Sequence, residues 1–268
     1  INLSLNVLGK NNTNFHKIQS IVSFINLYDK IYIRSTKKND HSIKFFGQFS
    51  SNLENNTVKV LLNILDNKNL LKKKYEIRVI KNIPQKSGLG GGSMNAASLM
   101  NFFLKQKIFH LTKKEVFNIC NKIGSDVFLG LNNKNLILTN NNTVKTFNTK
   151  LGLYAVLIKP KIGCSTKNIY NGVKNFKKSR IKINSKVFKI YSLQNAQNDL
   201  EKPAFKIYPI LRKLKEFLSN IDEVKFVRMT GSGSTIVAYF SNKKSAINAL
   251  KLTKRKFKNY WSILSKTI

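Results

Sequence analysis

Acidic residues are scarce: 12 Asp and Glu stand against 48 Lys and Arg in 268 residues, a formal charge of +36. Arginine is scarce too, supplying only six of the 48 cations, at positions 34, 78, 180, 212, 228 and 255. The charge alone suggests nucleic-acid binding. Arg, however, is the usual planar reader of bases and phosphates, and the lysines run along the whole chain rather than gathering in one arm. Lys, Asn and Ile, all abundant here, share A/T-rich codons, so a compositional bias accounts for the charge without a polyanionic partner. Long hydrophobic runs are also lacking. None reaches the roughly 18–20 residues that span a bilayer, and no signal peptide is visible. The chain begins at Ile1 rather than Met, which leads us to expect preceding residues and leaves a leader open. The two cysteines, Cys120 and Cys164, form no metal-type pair, and a reducing cytoplasm is expected. What is present is a hydrophobic fraction of 42%, enough for a packed core and incompatible with wholesale disorder.

Strand-like runs occur at Asn2 to Leu8, Lys30 to Arg34 and Tyr75 to Ile80. The spacing predicts helices over Val58 to Leu71, after Ser93, and from Thr112, where Thr112-Lys113-Lys114-Glu115 matches a capping box and Gly124 supplies a stop. The polar stretch from Asn132 to Lys150 reads as strand and turns around Leu136 to Leu138. In the second half, a strand at Leu153 to Ile158 leads into a mostly helical region ending near Leu218. Strand Lys225 to Met229, a tight turn over 230–234, strand Thr235 to Phe240, helix Lys243 to Leu252 and a last strand near Tyr260 to Leu264 follow. This β-α-β-β-α-β order is that of a ferredoxin-like layer, and it places a domain boundary near residue 150.

Residues 84–97 read Pro-Gln-Lys-Ser-Gly-Leu-Gly-Gly-Gly-Ser-Met-Asn-Ala-Ala. They follow a strand and open a helix. Glycines at 88, 90, 91 and 92 let backbone N–H groups approach a ligand without Cβ interference, and a helix start adds unpaired donors and a positive dipole end. The combination favours an anion such as a nucleotide phosphate. It is neither a Walker loop, which needs Gly-Lys-Ser/Thr, nor a dinucleotide fingerprint, which needs an acid about 20 residues on. The plainer alternative is a glycine-rich helix entry capped by Ser93.

With so few acids, candidate bases can be enumerated. Asp29, Asp40, Glu54 and Asp66 sit in polar or turn-like contexts, Glu76 lies in a strand and Glu115 serves as a cap. Glu216, Asp222 and Glu223 lie around a helix end, and Asp199 and Glu201 at the start of another. Asp126 stands out, following a helix stop and preceding Val127-Phe128-Leu129. It is either the N-cap of a short helix or a functional carboxylate.

The run Pro84-x3-Gly88-Leu89-Gly90-Gly91-Gly92-Ser93-x-Asn95-Ala96-Ala97 resembles the phosphate loop of the GHMP kinases. Ile1 to Leu5 with Gly9-Lys10 and Phe15-His16, then Gly124 to Val127, then Pro160, Ser165-Thr166 and Tyr170, then Asn198 to Glu201, and finally Met229 to Ser234 resemble further motifs of that family, in order. The resemblance implies an α+β, two-domain fold. A ribosomal-protein-S5-domain-2-like N-terminal domain would occupy 1–150 and a ferredoxin-like C-terminal domain 151–268. It implies an ATP-dependent small-molecule kinase that uses ATP and Mg2+, the cation arriving with the nucleotide rather than in a protein-built cage. The acceptor implied is the 2-hydroxyl of a cytidine diphosphate-linked methylerythritol, in non-mevalonate isoprenoid synthesis, with no specific nucleic-acid or membrane partner.

By the same resemblance, Asp126 is the catalytic residue beside the acceptor hydroxyl. Lys81, Pro84, Gly88, Leu89, Gly90, Gly91, Gly92, Ser93, Met94, Asn95, Gly231, Ser232 and Gly233 bind the nucleotide, and Asn2, Phe15, His16, Thr166 and Tyr170 hold the acceptor. The chain departs from the pattern in three places. Asn14-Phe15-His16 stands where the family usually has Gly-Tyr-His, Met94 replaces a common Ser, and the lysine that pairs with the catalytic Asp would precede Ile1. Two alternatives remain: another GHMP kinase, of homoserine or mevalonate type, or a basic nucleic-acid-binding module.

Overall fold

The computed structural model describes residues 1–10, 16–50, 56–141, 143–176 and 181–268. In chain order the strands are β1 (Asn2–Lys10), β2 (His16–Val22), β3 (Lys30–Thr36), β4 (Ser42–Phe46), β5 (Lys74–Ile80), β6 (Asn135–Leu138), β7 (Val144–Phe147), β8 (Tyr154–Lys159), β9 (Phe226–Met229), β10 (Ile236–Phe240) and β11 (Trp261–Lys266). The helices are α1 (Thr57–Asn67), α2 (Gly91–Lys105), α3 (Lys113–Ile123), α4 (Thr166–Asn171), α5 (Ile190–Asn195), α6 (Glu201–Ile207), α7 (Pro209–Ser219) and α8 (Lys243–Lys256). No helix among the described residues is long and apolar enough to cross a membrane.

The chain forms two compact units. One contains Ile1–Asn26, Lys86–Leu89 and Lys134–Ile268; the other contains Leu27–Gln85 and Gly90–Asn133. The boundary expected near residue 150 does not coincide with this division. Strand pairing explains why: β6 pairs with β2, and Leu5 bridges to Asn198, so the opening strands belong with the later chain.

The first unit holds two sheets. One is antiparallel, in the order β1-β2-β6-β7, and the other has the order β11-β8-β10-β9. The second order places the first and third strands of the β8-to-β11 set at the centre, the arrangement expected of a split β-α-β-β-α-β layer. Its central strands are apolar on both sides, and Ala155 to Ile158 and Ile236 to Phe240 are all buried. Helices α7 and α8 supply Leu211, Leu214, Leu218, Ala246 and Ala249 to the same core.

The second unit packs three helices on the sheet β3-β5-β4. Helix α1 buries Val58, Leu61, Leu62 and Leu65, a stripe at helical spacing. Helix α3 begins where its sequence predicts: the Thr112 side chain accepts from Glu115 N–H, and the Glu115 side chain accepts in return from Thr112 N–H. Strand β3 alternates, with Ile31 and Ile33 turned to the core and Tyr32 and Arg34 exposed. Helix α2 starts at Gly91, two residues before Ser93. Glycine is tolerated there because the first-turn N–H groups lack intrahelical partners anyway.

Candidate active site

Helix α2 opens without a side-chain cap. Its N-cap residue, Gly90, lies in the left-handed region at φ 67°, and the hydrogen-bond ladder begins only with Met94 N–H donating to Gly90 O at 2.9 Å. The N–H groups of Gly91, Gly92 and Ser93 therefore find no acceptor among the described residues. A side chain at Gly91 would strike Ile83, whose Cγ2 lies 2.9 Å from a Cβ placed there. At Gly92 the carbonyl is held instead, accepting from Thr57 Oγ1 at 2.6 Å. The outcome is a row of bare donors at the positive end of a 15-residue helix, the chemistry a phosphate seeks.

The strand leading into this loop is tied by a residue that sequence reasoning placed in a merely polar context. Strands β3 and β5 run antiparallel with Lys30 opposite Ile80, so the register sets Asp29 opposite Lys81. Asp29 Oδ2 pairs with Lys81 Nζ and accepts from Asn95 Nδ2 at 2.9 Å. Asp29 Oδ1 accepts from Asn82 N–H at 2.7 Å and Ile83 N–H at 3.0 Å. Lys81 is buried and spent on this carboxylate, which is neither a lysine reaching for a nucleotide nor one solvated at the surface. Asn95 is likewise committed to Asp29. The signal available was weak: an Asp just before one strand and a Lys just after another matter only once their register is known.

Residues 86–89 belong to the first unit, and the loop between β9 and β10 holds their carbonyls. Thr235 N–H donates to Ser87 O at 3.1 Å, Thr230 Oγ1 donates to Gly88 O at 3.1 Å, and Ser234 Oγ donates to Lys86 O at 3.5 Å. Gly88 has φ 74°, and a Cβ there would lie 2.3 Å from Thr230 O and 2.8 Å from Gly233 O. Only glycine fits this close approach. Gly231 lies against Gly88, a Cβ at 231 falling 3.2 Å from Gly88 O. Gly233 is buried against Met229 and Cys164, so it shapes the turn rather than presenting a surface to a nucleotide. Pro84 is buried as well, and Leu89 is half-buried with its N–H donating to Ser87 Oγ at 3.3 Å.

Asp126 lies in the turn between α3 and a short 3-10 segment at Leu129–Leu131. It does not cap that segment through its side chain; its backbone carbonyl accepts from Gly130 N–H at 3.4 Å. The residue is exposed; the protein packed around its carboxyl raises its pKa above the ordinary carboxylate value, opposed by a 3.4 Å hydrogen bond from Ser125 Oγ. The start of α2 lies close by within the same unit: Ser93 Oγ is 4.0 Å from where a Cβ on Gly124 would sit. Met94 points elsewhere, its Cε and Sδ packing 2.6 and 2.8 Å from the Cβ position of Gly130. Its side chain therefore substitutes for no phosphate ligand.

Among the acceptor candidates, the His16 and Tyr170 rings lie 4.9 Å apart at 37°. His16 Nε2 is buried without a hydrogen-bond partner among the described residues, and burial, with Lys10 nearby, lowers its pKa. Thr166 is exposed at the start of α4, with its Oγ1 2.9 Å from Ser232 Oγ. Asn2 donates its backbone N–H to Thr230 Oγ1 at 3.0 Å and its side-chain Nδ2 to Ser20 Oγ at 2.8 Å. Phe15 lies outside the described residues.

Family models for the N-terminal and C-terminal domains of GHMP kinases match residues 55–133 and 181–259. A 4-diphosphocytidyl-2-C-methyl-D-erythritol kinase of Pelagibacter ubique (strain HTCC1062) is 49% identical over 271 residues, spanning 100% of this chain and 96% of its own. This chain belongs to the GHMP kinases. A second kinase of the same name, from Petrotoga mobilis (strain DSM 10674 / SJ95), is 32% identical over 254 residues, or 88% of this chain and 94% of its own. Among solved structures, a 4-(cytidine 5'-diphospho)-2C-methyl-D-erythritol kinase shares the fold with a TM-score of 0.79 at 20% identity, covering 99% of this chain and 96% of that one. A homoserine kinase from Cytophaga hutchinsonii shares it at 0.64 and 17%, covering 94% and 88%. This chain is an ATP-dependent small-molecule kinase.

Proposed function

We propose that this GHMP kinase transfers the γ-phosphoryl of ATP to the 2-hydroxyl of 4-diphosphocytidyl-2-C-methyl-D-erythritol, a step toward isoprenoid precursors outside the mevalonate route. The observation that carries the reading is the run of amides at Gly91 to Ser93, which find no acceptor among the described residues, in the same unit as Asp126, the Ser93 hydroxyl abutting the turn that holds it. The amides would hold the phosphates. Asp126 would take the acceptor's proton as its oxygen bonds to the γ-phosphorus and the β–γ bridging oxygen departs with ADP. Most of the catalysis is positioning and charge neutralisation.

The acceptor's identity is supported by His16 and Tyr170. Two aromatic rings set 4.9 Å apart offer flat surface that suits a planar base. Asn2, Phe15 and Thr166 complete the acceptor set in this reading. Gly231, Ser232 and Gly233 would serve nucleotide binding in this reading. Mg2+ would enter on the ATP phosphates. No group of three or more His, Cys, Asp or Glu among the described residues could cage a metal, and the oxygen available beside the phosphates is Ser93 Oγ. Bound there, the ion would neutralise phosphate charge. Both cysteines are free and buried, which suits a reducing cytoplasm. No sequence-specific nucleic acid and no membrane enters the reading.

The test is an ADP-release assay with three acceptors: the cytidyl substrate, homoserine and mevalonate. Turnover with the first alone is expected. Phosphorylation of homoserine or mevalonate without the cytidyl substrate would overturn the assignment.

A further inference from the structure

Asn198 carries no surface a substrate could touch, being 3% exposed. Its side chain is nonetheless fully engaged. Nδ2 donates to Met229 O at 2.8 Å and to Gly231 O at 2.9 Å, and Oδ1 accepts from Leu200 N–H at 3.0 Å. Around it the segment is fastened to β1: Leu5 N–H donates to Gln197 O at 2.9 Å, Asp199 N–H to Leu5 O at 2.8 Å, and Val7 N–H to Asp199 Oδ2 at 2.9 Å. One turn further on, Glu201 Oε1 accepts from Met229 N–H at 2.8 Å, its other oxygen held by Lys215 Nζ at 2.5 Å. Both ends of the Met229–Gly231 stretch are thus clamped by side chains that approach no ligand.

The clamped stretch sets the phosphate turn. Thr230 Oγ1 donates to Gly88 O, and Thr235 N–H to Ser87 O. A planar peptide whose carbonyl is fixed on one side presents the next residue's N–H on the other. Fixing the carbonyls of Lys86 and Ser87 therefore aims the N–H groups of Ser87 and Gly88 away from the brace, and neither donates to any acceptor among the described residues. We propose that Asn198 is a positioning residue for nucleotide binding: by holding Gly231 and Met229 it fixes the brace that orients the Ser87 and Gly88 amides toward the ATP phosphates. The assignment rests on the kinase reading above.

The experiment compares Asn198→Ala with Asn135→Ala, a buried asparagine of the same unit whose Nδ2 donates to Thr149 O and which touches no part of the brace. Steady-state kinetics with both substrates and calorimetric titration of ADP are measured at matched folded fractions. Asn198→Ala should raise the ATP KM and the ADP Kd about thirtyfold, as loss of two hydrogen bonds that stabilise by about 1 kcal/mol each predicts, with the acceptor KM unchanged. Asn135→Ala should lower thermal stability and leave both KM values alone. If Asn198→Ala does not fold, Thr230→Val must raise the ATP KM and Thr230→Ser must restore it. Unchanged ATP affinity in folded Asn198→Ala, or in Thr230→Val where that variant is used, overturns the proposal. A wild-type protein that binds no ADP would refute the kinase reading itself, a separate failure.

Discussion

Asp29 and Lys81 form an ion pair sealed from solvent, their side chains 0% and 5% exposed. Such a pair is costly to break from one side because the surviving charge is left unpaired. Lys81→Met should therefore destabilise the fold by about 3–5 kcal/mol in urea unfolding, while Asp29→Asn combined with Lys81→Met should recover much of that loss. If Lys81 instead served the nucleotide directly, Lys81→Met would weaken ADP binding with stability intact.

Asp126→Asn should lower kcat by about a hundredfold or more while ADP binding, measured by titration, persists. Stability should move the opposite way. The folded chain binds the Asp126 proton more tightly than the unfolded chain does, because partial desolvation in the fold raises this pKa. Wild-type stability therefore declines as pH rises through the window between the ordinary carboxylate value and the raised one. The Asn variant lacks that decline, and should melt higher than wild type at neutral pH. A variant that keeps near-normal turnover would remove Asp126 from the chemistry.

The pH profile of kcat follows from the same group. A base must be ionised, so activity should fall as pH drops through the raised Asp126 pKa, placing the acid limb above the ordinary carboxylate range. The Ser125 hydrogen bond lowers that pKa, so Ser125→Ala should move the acid limb to higher pH still. A limb that stays put or moves down would disconnect Ser125 from the base.

Gly130 and Met94 fit each other closely, with no room for a methyl group between them. Gly130→Ala should cost about 1–3 kcal/mol of stability by overpacking, and Met94→Ala in the same chain should relieve only part of it, because the Ala97 Cβ also lies 2.8 Å from the added methyl. A double-mutant cycle by thermal melting checks this coupling.

For the acceptor, His16→Ala and Tyr170→Ala should each raise the KM of the cytidyl substrate while leaving the ATP KM unchanged. A matched rise for both substrates would mean that the pair supports the fold rather than a base.

The fold was legible where local patterns are strong. The α1 stripe, the Thr112 capping box and the β-α-β-β-α-β rhythm all appear as expected. Strands β2 and β4 were not legible, because short polar segments such as His16–Val22 acquire strand character from their partners rather than from their own pattern. In the candidate site, the glycine loop and Asp126 could be named from residue order. The Asp29–Lys81 pair and the Asn198 clamp could not. They join residues 52 and 31–33 positions apart, and nothing in a linear reading states which strands share a register.

The two units also differ in how much chain they need before they can exist. Leu27–Gln85 with Gly90–Asn133 is nearly continuous, so it can assemble while the rest is still being made. The other unit has parts at both ends: Ile25 bridges to Thr267, and Ile268 N–H donates to Phe24 O at 3.1 Å. Its opening strands must wait for the final residues, a long-range closure that slows folding. A nascent chain halted before Thr235 would carry the complete helix α2 yet lack the Thr235 N–H donated to Ser87 O and the strand β10 that holds the turn at residues 86–89.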